Sequence, residues 1–360
     1  MWSLSSLVSV LILQYSCSLA DAVVVTTKLG DVEGVRTRAS EKFLGSATLS
    51  PSTWTGVLDA TAIKPACYQY CPQDAKFICQ TEMSEDCLSL NVFRPLKPIS
   101  ASLPVMLWIH GGNFEYYSGG SVLFDGETIV SRGDVIFVSL NYRLGPFGFL
   151  AQSDGTTVYA GNYAIKDQRM ALQWVHDNIN AFGGDPSQGH HAQRPFGISF
   201  KNPAEGAYQD YLFSQNLGCT QGNISCYKSK TSAEVLTAWQ GTSIYVSDNP
   251  YLSLESWGPV IDGDEIKGSL VELFETVTNI NKEILIGSTS EESVGSIYDY
   301  YTTAVDEASY RAAMSYFEPD NSTQIINAQY PLSLATTART WSASCPTGSF
   351  CAQPDTWLRS

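Results

Sequence analysis

The hydrophobic pattern of the chain predicts buried strands and one hairpin. Residues 104–110, PVMLWIH, and 134–141, DVIFVSLN, are continuous apolar runs, which are typical of strands buried on both faces of a sheet. Residues 283–287, EILIG, form a third run of this kind. Residues 23–38 predict a β-hairpin, because β-branched runs flank the turn-forming stretch Leu29-Gly30-Asp31.

Helical periodicity appears between these runs. A long helix is predicted over 163–182, where apolar residues recur at helical spacing and Gly183-Gly184 provides the stop signal. Residues 208–217 and 233–239 predict two shorter helices. Strands that alternate with helices predict an α/β fold with a mostly parallel sheet covered by helices on both faces. No internal repeat or linker divides the chain, so we expect one domain.

The N-terminus predicts secretion. Residues 1–22 contain an apolar stretch from Leu7 to Leu13 and end in small residues, as in a secretory signal cleaved near Ala22. A membrane anchor is the alternative, but this stretch is far shorter than the roughly 20 residues that span a bilayer. The glycosylation sequons at Asn223 and Asn321 agree with secretion from a eukaryotic cell. The domain is therefore expected to occupy 23–360, in an extracellular location.

Composition narrows the classes of partner. The chain has 360 residues, 44% of them hydrophobic and 16% charged, which suits a globular domain. The 21 Lys and Arg against 36 Asp and Glu give a formal charge of −15. An acidic surface without a basic cluster repels nucleic acid and anionic membranes, so neither is expected as a partner. The charge favours solubility, with steering of cationic ligands as the alternative interpretation.

Nine cysteines are present, and Cys17 lies inside the predicted signal, which leaves eight in the mature chain. An even number of cysteines in a secreted protein indicates disulfides rather than a metal site. Cys71 and Cys79 lack the C-x-x-C spacing, and the adjacent His190 and His191 are poorly placed to chelate one ion together. No metal or other cofactor is therefore predicted.

Five stretches together resemble the type-B carboxylesterases, the cholinesterase-like branch of the α/β-hydrolases. They occur in the order found in that family, over roughly residues 23–345. The resemblance implies an α/β-hydrolase fold and, for an intact member, hydrolysis of small carboxylic esters by a Ser/Glu/His triad. The stretches are EDCLSLNVFRP (85–95), PVMLWIHGGNF (104–114), NYRLGPFGFL (141–150), GNYAIKDQRMALQWVHDNINAFGGDPSQ (161–188) and WGPVIDG (257–263).

The resemblance assigns two parts of a catalytic site. The backbone N–H groups of Gly111 and Gly112 would form part of the oxyanion hole, which stabilises negative charge during attack on an ester. These residues have no Cβ to block a ligand, and the alternative is an ordinary glycine turn at a strand end. Glu292 aligns with the acid of the triad, although Ser293 replaces the glycine that usually follows.

The resemblance also implies structural contacts. It implies a buried ion pair between Arg143 and Asp167, whereas the usual arginine partner of Glu85 belongs to a segment that is missing near 43–57. Two disulfides are implied, and the pairing of four further cysteines stays open. The implied pairs are Cys67 with Cys87 and Cys219 with Cys226, and the open residues are Cys71, Cys79, Cys345 and Cys351.

The sequence departs from the family after FGGDPSQ (182–188). The family continues with a β-strand and the nucleophile elbow G-E-S-A-G, but no G-x-S-x-G occurs in this chain, and residues from 195 onward resemble a much later segment. We therefore expect the strand, the elbow, the next helix and the following strand to be absent. His190 and His191 are interpreted as junction residues in a solvated loop, with a metal or acid/base pair as the alternative. Ser199 is a poor substitute nucleophile.

The base of the triad is missing as well. The family places its catalytic histidine in a late loop after the acid, and none of the four histidines follows Glu292. We therefore predict a catalytically defective member of the family. The alternative is a non-catalytic protein on the same fold, used for binding, adhesion, or storage and self-association. A third interpretation is a truncated or mis-spliced product, or a gene model with incorrectly joined segments.

Overall fold

A computed structural model describes residues 21–48, 53–71, 76, 78–96, 102–153, 158–193, 200–242, 256–276, 306–308 and 311. Several sequence-based predictions lie outside these residues. They are most of the signal (1–20), the strand at 283–287, Glu292, the sequon at Asn321, and Cys345 and Cys351.

The strands of the described residues form one sheet of eight strands and two short strand pairs. In the large sheet the order is β1-β2-β3-β7-β9-β8-β12, with β4 beside β2. The strands are β1 (Asp21–Thr26), β2 (Asp31–Arg36), β3 (Ser40–Thr48), β4 (Val57–Asp59), β5 (Ala66–Cys67), β6 (Met83–Ser84), β7 (Ser89–Pro95), β8 (Leu103–Ile109), β9 (Ile136–Leu140), β10 (Gln152–Ser153), β11 (Val158–Ala160) and β12 (Gly184–Gln193).

Helices connect and cover these strands. The long helix is predicted correctly, and Gly183 ends it in the left-handed conformation at φ 88° after a single 3-10 turn, Ile179–Phe182. No helix in the described ranges is long and apolar enough to cross a bilayer. The helices are α1 (Glu127–Arg132), α2 (Gly145–Phe149), α3 (Tyr163–Asn178), α4 (Pro203–Leu217), α5 (Ile224–Ser229), α6 (Ser232–Thr242) and α7 (Leu270–Thr276).

The N-terminal half of the sheet is antiparallel. The predicted hairpin is present, because β1 pairs antiparallel with β2 across the turn that contains Gly30. A Cβ on Gly30 would lie 2.5 Å from the Trp54 indole, whose Nε1 donates a 2.9 Å hydrogen bond to the Asp31 carbonyl. Glycine is required here because the indole packs directly on the turn.

The centre of the sheet supports the predicted α/β class. β9 is buried at all five positions, and β8 lies beside it in parallel register. β8 buries every second residue fully, while Met106 and Trp108 on its other face are partly buried. The described sheet is therefore mixed, with its parallel part on the side of β8. This side of the sheet carries the candidate site.

Strand β12 corrects one prediction. The residues expected to form a solvated loop continue the sheet, with His190 opposite Met106 and His191 opposite Leu107 in parallel register. Because the ladder is formed by backbone N–H and C=O groups, the sequence GHHAQ can occupy the open edge of β8 despite its polar side chains. The prediction that this strand is absent was wrong. The register shifts between Gly184 and Gly189.

Disulfides join the segments around the edge of the sheet. Cys67 is bonded to Cys87 and Cys219 to Cys226, in the pairs that the family resemblance implies. A third bond joins Cys71 to Cys79, a pairing that the sequence left open. The Cys67–Cys87 bond links the short strand β5 to the residues immediately before β7.

Candidate functional site

The candidate site is the glycine turn, residues 110–117, which follows β8 at its carboxyl end. Gly112 has φ 97°, and a Cβ there would lie 2.2 Å from the Tyr116 carbonyl oxygen. The Glu115 and Tyr116 N–H groups donate to the Gly112 carbonyl at 2.9 and 3.1 Å, and these hydrogen bonds bring Tyr116 close to Gly112. Asn113 also has a positive φ, of 52°. Position 112 therefore requires glycine, because a side chain there would combine a positive φ with a steric clash.

The amide groups of the glycine turn have the properties of an anion site. Gly111 is partly exposed and Gly112 is buried, and no described residue accepts a hydrogen bond from either N–H group. In sheets of this class ligands bind beyond the carboxyl ends of the parallel strands, which is where this turn lies. The geometry can stabilise an oxyanion or a carboxylate near Gly111.

His110 supports the turn from inside the protein. Its ring stacks on Tyr142 with centroids 4.4 Å apart, and the Tyr142 hydroxyl donates a 2.8 Å hydrogen bond to the His110 carbonyl. Burial lowers the pKa of the imidazole to about 4, so the ring is neutral at pH 7. Its Nε2 has no hydrogen-bond partner among the described residues. His110 therefore acts as a structural support for the turn.

Gln69 is a residue of the site that sequence reasoning missed. Its amide Nε2 donates to the Tyr117 carbonyl at 2.8 Å, and its Oε1 accepts from the Tyr117 N–H at 2.7 Å. The side chain thus pairs with the turn as a neighbouring strand would. The disulfides of Cys67 and Cys71 lie on either side of it and hold it in place. The one sequence signal was a glutamine between two cysteines, which is too common to be specific.

Phe114 connects the glycine turn to the NYRLG segment. Its carbonyl accepts a 2.8 Å hydrogen bond from the Gly145 N–H, and its ring packs on Phe149 at 4.8 Å between centroids. Next to it the predicted ion pair is formed: Arg143 Nε and Nη2 lie 2.8 and 2.7 Å from the Asp167 carboxylate. Asp167 is buried, and the ion pair joins the segment that follows β9 to helix α3.

Two sequence-predicted residues lie away from the turn. Asn223 is exposed and caps α5, where its Oδ1 accepts a 3.1 Å hydrogen bond from the Cys226 N–H. This arrangement leaves the side-chain nitrogen, the atom that carries an N-linked glycan, uninvolved in the cap. Glu85 accepts a hydrogen bond from the Ser232 hydroxyl instead of binding an arginine. Among the described residues no group of three His, Cys, Asp or Glu side chains could hold a metal ion.

The fold and the glycine turn together define an α/β-hydrolase. The carboxylesterase family model matches residues 21–188. Two solved structures of para-nitrobenzyl esterases, one of them thermophilic, share the fold with a TM-score of 0.73 and 27% identity, over 91% of this chain and 76% of theirs. The chain therefore matches the carboxylesterase family in sequence over residues 21–188 and the para-nitrobenzyl esterases in fold over most of its length.

Individual relatives match different parts of the chain. Para-nitrobenzyl esterase of Bacillus subtilis is 45% identical over 45% of this chain and 36% of its own length. Crystal protein of Dictyostelium discoideum is 30% identical over 72% of this chain and 52% of its own. Mouse bile salt-activated lipase is 32% identical over 76% of this chain and 54% of its own. The chain thus spans about a third to a half of these relatives.

We expect Gly112→Ala to destabilise the protein more than Gly56→Ala. Both glycines have positive φ, 97° and 82°, but a Cβ on Gly56 would meet no atom within 4 Å. Gly56→Ala should therefore cost about 1 kcal/mol from backbone strain alone. Gly112→Ala adds the clash with the Tyr116 carbonyl and should cost about 2–3 kcal/mol. Urea unfolding followed by fluorescence measures both, and equal losses would show that the turn has room for a side chain.

Proposed function

We propose that this chain is a secreted pseudoenzyme of the carboxylesterase family, which does not carry out serine-dependent hydrolysis of carboxylic esters. One observation carries the proposal. The family match ends at Gln188, β12 then runs to Gln193, and Arg194-Pro195-Phe196 follow where the family has its nucleophile elbow. The chain contains no G-x-S-x-G at any other position. The elbow is internal to the family's domain, so this difference does not depend on where the chain ends.

The chemistry of the family explains why this difference decides activity. The elbow presents a serine that histidine activates and an acid orients, and the N–H group after the serine completes the oxyanion hole. In this chain Gly111 and Gly112 would supply the other donors, and Glu292 would supply the acid. Donors without a nucleophile can still bind an anionic or carbonyl group. The remnant site is thus proposed to bind small ester-like molecules without cleaving them.

Several features support secretion. The described residues contain three disulfides, which persist in oxidising compartments and are rare in the cytosol. The family match begins at residue 21, at the end of the proposed signal of residues 1–22, and we propose that the domain occupies 23–360. Asn223 is exposed, as an acceptor of N-linked glycan must be. The formal charge of −15 opposes binding to nucleic acid.

Covalent labelling tests the proposal. The purified protein should form no adduct with a fluorophosphonate, a reagent that reacts with activated serines, as read by intact mass. Para-nitrobenzyl esterase serves as the positive control under the same conditions. An adduct would contradict the proposal, and its loss in Ser199→Ala but not in Ser121→Ala would identify Ser199 as a replacement nucleophile. Ser121 is a suitable comparison because its hydroxyl already donates to the Ile78 carbonyl at 3.0 Å.

A second candidate function is non-catalytic binding, adhesion, or storage by self-assembly. The name of one relative favours it, because Crystal protein of Dictyostelium discoideum matches 72% of this chain. Sedimentation over a hundredfold range of concentration tests self-assembly. Ordered oligomers would support this function, and a monomer throughout would exclude self-assembly as the role.

The junction after Gln188 has one further explanation, which is an incorrect joining of segments. Sequencing of the transcript tests it directly. A message that encodes Gly-Glu-Ser-Ala-Gly after Gln188 would assign the family's esterase activity to the gene product and would contradict the proposed pseudoenzyme. A message that encodes GHHAQR at 189–194 would agree with the proposed pseudoenzyme.

A further inference from the structure

The last residue of the glycine turn is strained, and a side chain from another segment holds it. Tyr117 has φ 79° and Phe114 has φ 59°, values that are rare for bulky residues. Backbone strain of this kind persists only where surrounding contacts fix the conformation. The Gln69 amide supplies such contacts, because it bonds to both the N–H and the carbonyl of Tyr117. Gln69 is 4% exposed, so these hydrogen bonds are shielded from water.

A second set of contacts holds the chain immediately after the turn. The Ser118 hydroxyl donates a hydrogen bond to Gln80 Oε1, and the Ser121 hydroxyl donates to the Ile78 carbonyl at 3.0 Å. Both serines are buried, with 0% and 2% of their surface exposed. Ile78 and Gln80 therefore hold these serines as Gln69 holds the turn itself.

The Cys71–Cys79 disulfide joins the two sets of contacts. Cys71 follows Gln69 by two residues, and Cys79 lies between Ile78 and Gln80. A disulfide removes open conformations of the loop that it closes. With the bond in place the two glutamines are held on one cross-linked unit, and without it they can move apart. The bond is therefore placed to control how firmly the turn is held.

Solvent exposure distinguishes this bond from the other disulfide of the same segment. Cys67 and Cys87 are buried, at 3% and 2% exposed. Cys71 and Cys79 are both partly exposed. A disulfide is reduced when a thiolate attacks one of its sulfur atoms, so access decides which bond reacts first. Of the two bonds, Cys71–Cys79 is the one that a dithiol can reach.

We propose that Gln69, Gln80 and the Cys71–Cys79 disulfide form a reducible latch that positions the glycine turn. Oxidised, the latch holds Tyr117 in its strained conformation. A dithiol reductant breaks the S–S bond: two electrons and two protons pass to the cysteines, which become thiols, and the dithiol becomes a disulfide. The glutamines then separate and the turn relaxes.

The two glutamines are positioning residues, since each acts on the turn or on the serine that follows it. The proposal rests on their contacts and does not depend on whether the chain hydrolyses or binds esters. It is therefore tested without any measurement of activity.

Hydrogen exchange of the full chain tests the latch. The Tyr117 amide reports on it directly, because this N–H donates to Gln69 Oε1 at 2.7 Å. Mild reduction with dithiothreitol should lower the protection of this amide by about 10- to 100-fold, the effect expected from loss of a disulfide across a short loop. Gln69→Ala should lose the protection even with the disulfide intact.

Alkylation of the reduced sample, followed by peptide mass analysis, identifies the bond that was broken. Label should appear on Cys71 and Cys79 while Cys67 and Cys87 stay bonded to each other. Labelling of Cys67 or Cys87 first would overturn the proposal, because the reducible bond would then be the buried one.

Two double variants provide a matched comparison. Cys71→Ala with Cys79→Ala should reproduce the loss of Tyr117 protection without any reductant. Cys219→Ala with Cys226→Ala removes a disulfide of similar sequence separation, 7 residues against 8, and should leave that protection unchanged.

Equal losses in the two double variants would overturn the proposal, since they would reflect stability in general. Unchanged Tyr117 protection after reduction of the Cys71–Cys79 bond would overturn it too. If the Cys71→Ala, Cys79→Ala variant does not fold, the reduced wild type and Gln69→Ala decide, because wild-type protection in Gln69→Ala is equally incompatible with the latch.

Discussion

Purified protein should hydrolyse a para-nitrobenzyl ester about 10⁵- to 10⁶-fold more slowly than the para-nitrobenzyl esterase of Bacillus subtilis, compared by kcat. Loss of the nucleophile from a Ser/His/acid triad has an effect of this order in subtilisin. It corresponds to about 7–8 kcal/mol of activation free energy. In this chain the residues after β12 are Arg194-Pro195-Phe196, so no serine stands on an elbow at that strand end. Initial rates followed by nitrobenzyl alcohol release provide the measurement.

The folding and the oligomeric state of the sample must be measured together with the rate of ester hydrolysis. Size-exclusion chromatography with light scattering establishes that the sample is monodisperse, and circular dichroism establishes that it is folded. An inactive, folded and monodisperse protein agrees with the proposed function. Turnover that a serine-directed organophosphate abolishes would contradict it. Aggregated protein would instead support the interpretation that segments of the chain are incorrectly joined.

Arg143→Met should destabilise the protein by about 3–5 kcal/mol, the largest loss of stability that we expect from a single substitution. Asp167 is 1% exposed, and Arg143 holds its carboxylate with two hydrogen bonds of 2.8 and 2.7 Å. Without the guanidinium, an ionised carboxylate stays buried with one hydrogen bond from the residue 143 N–H, which is 3.1 Å in the wild type. Urea unfolding at pH 7 measures the loss.

A double variant separates charge burial from packing. Arg143→Met with Asp167→Leu removes both charges and keeps apolar volume, so it should recover most of the stability lost in Arg143→Met. Asp167→Asn alone should cost less than Arg143→Met, because the Arg143 side chain is 36% exposed and its charge is partly hydrated. A double variant as unstable as Arg143→Met would show that packing, rather than the unpaired carboxylate, causes the loss.

Local sequence patterns predicted the elements whose structure depends on neighbours in the chain. The hairpin around Gly30, the strands β8 and β9, and the helix α3 each formed where periodicity and turn residues placed them. The glycine turn after β8 was likewise readable from the glycine at 112 and the asparagine at 113, whereas the positive φ of Phe114 and Tyr117 had no local signal. Such features depend on backbone preferences within a few residues, and these are encoded locally.

Other features were decided by tertiary structure alone. The polar sequence GHHAQ has no strand pattern, yet it pairs with β8 because an open strand edge presents backbone groups that any sequence can satisfy. The pairing of Gln69 with Tyr117 joins segments that are distant along the chain. Lys201 Nζ likewise reaches the Gly258 carbonyl only after two segments that are distant along the chain fold together. No local pattern in the sequence specifies contacts of this kind, since hydrogen bonds and buried charges find their partners in space.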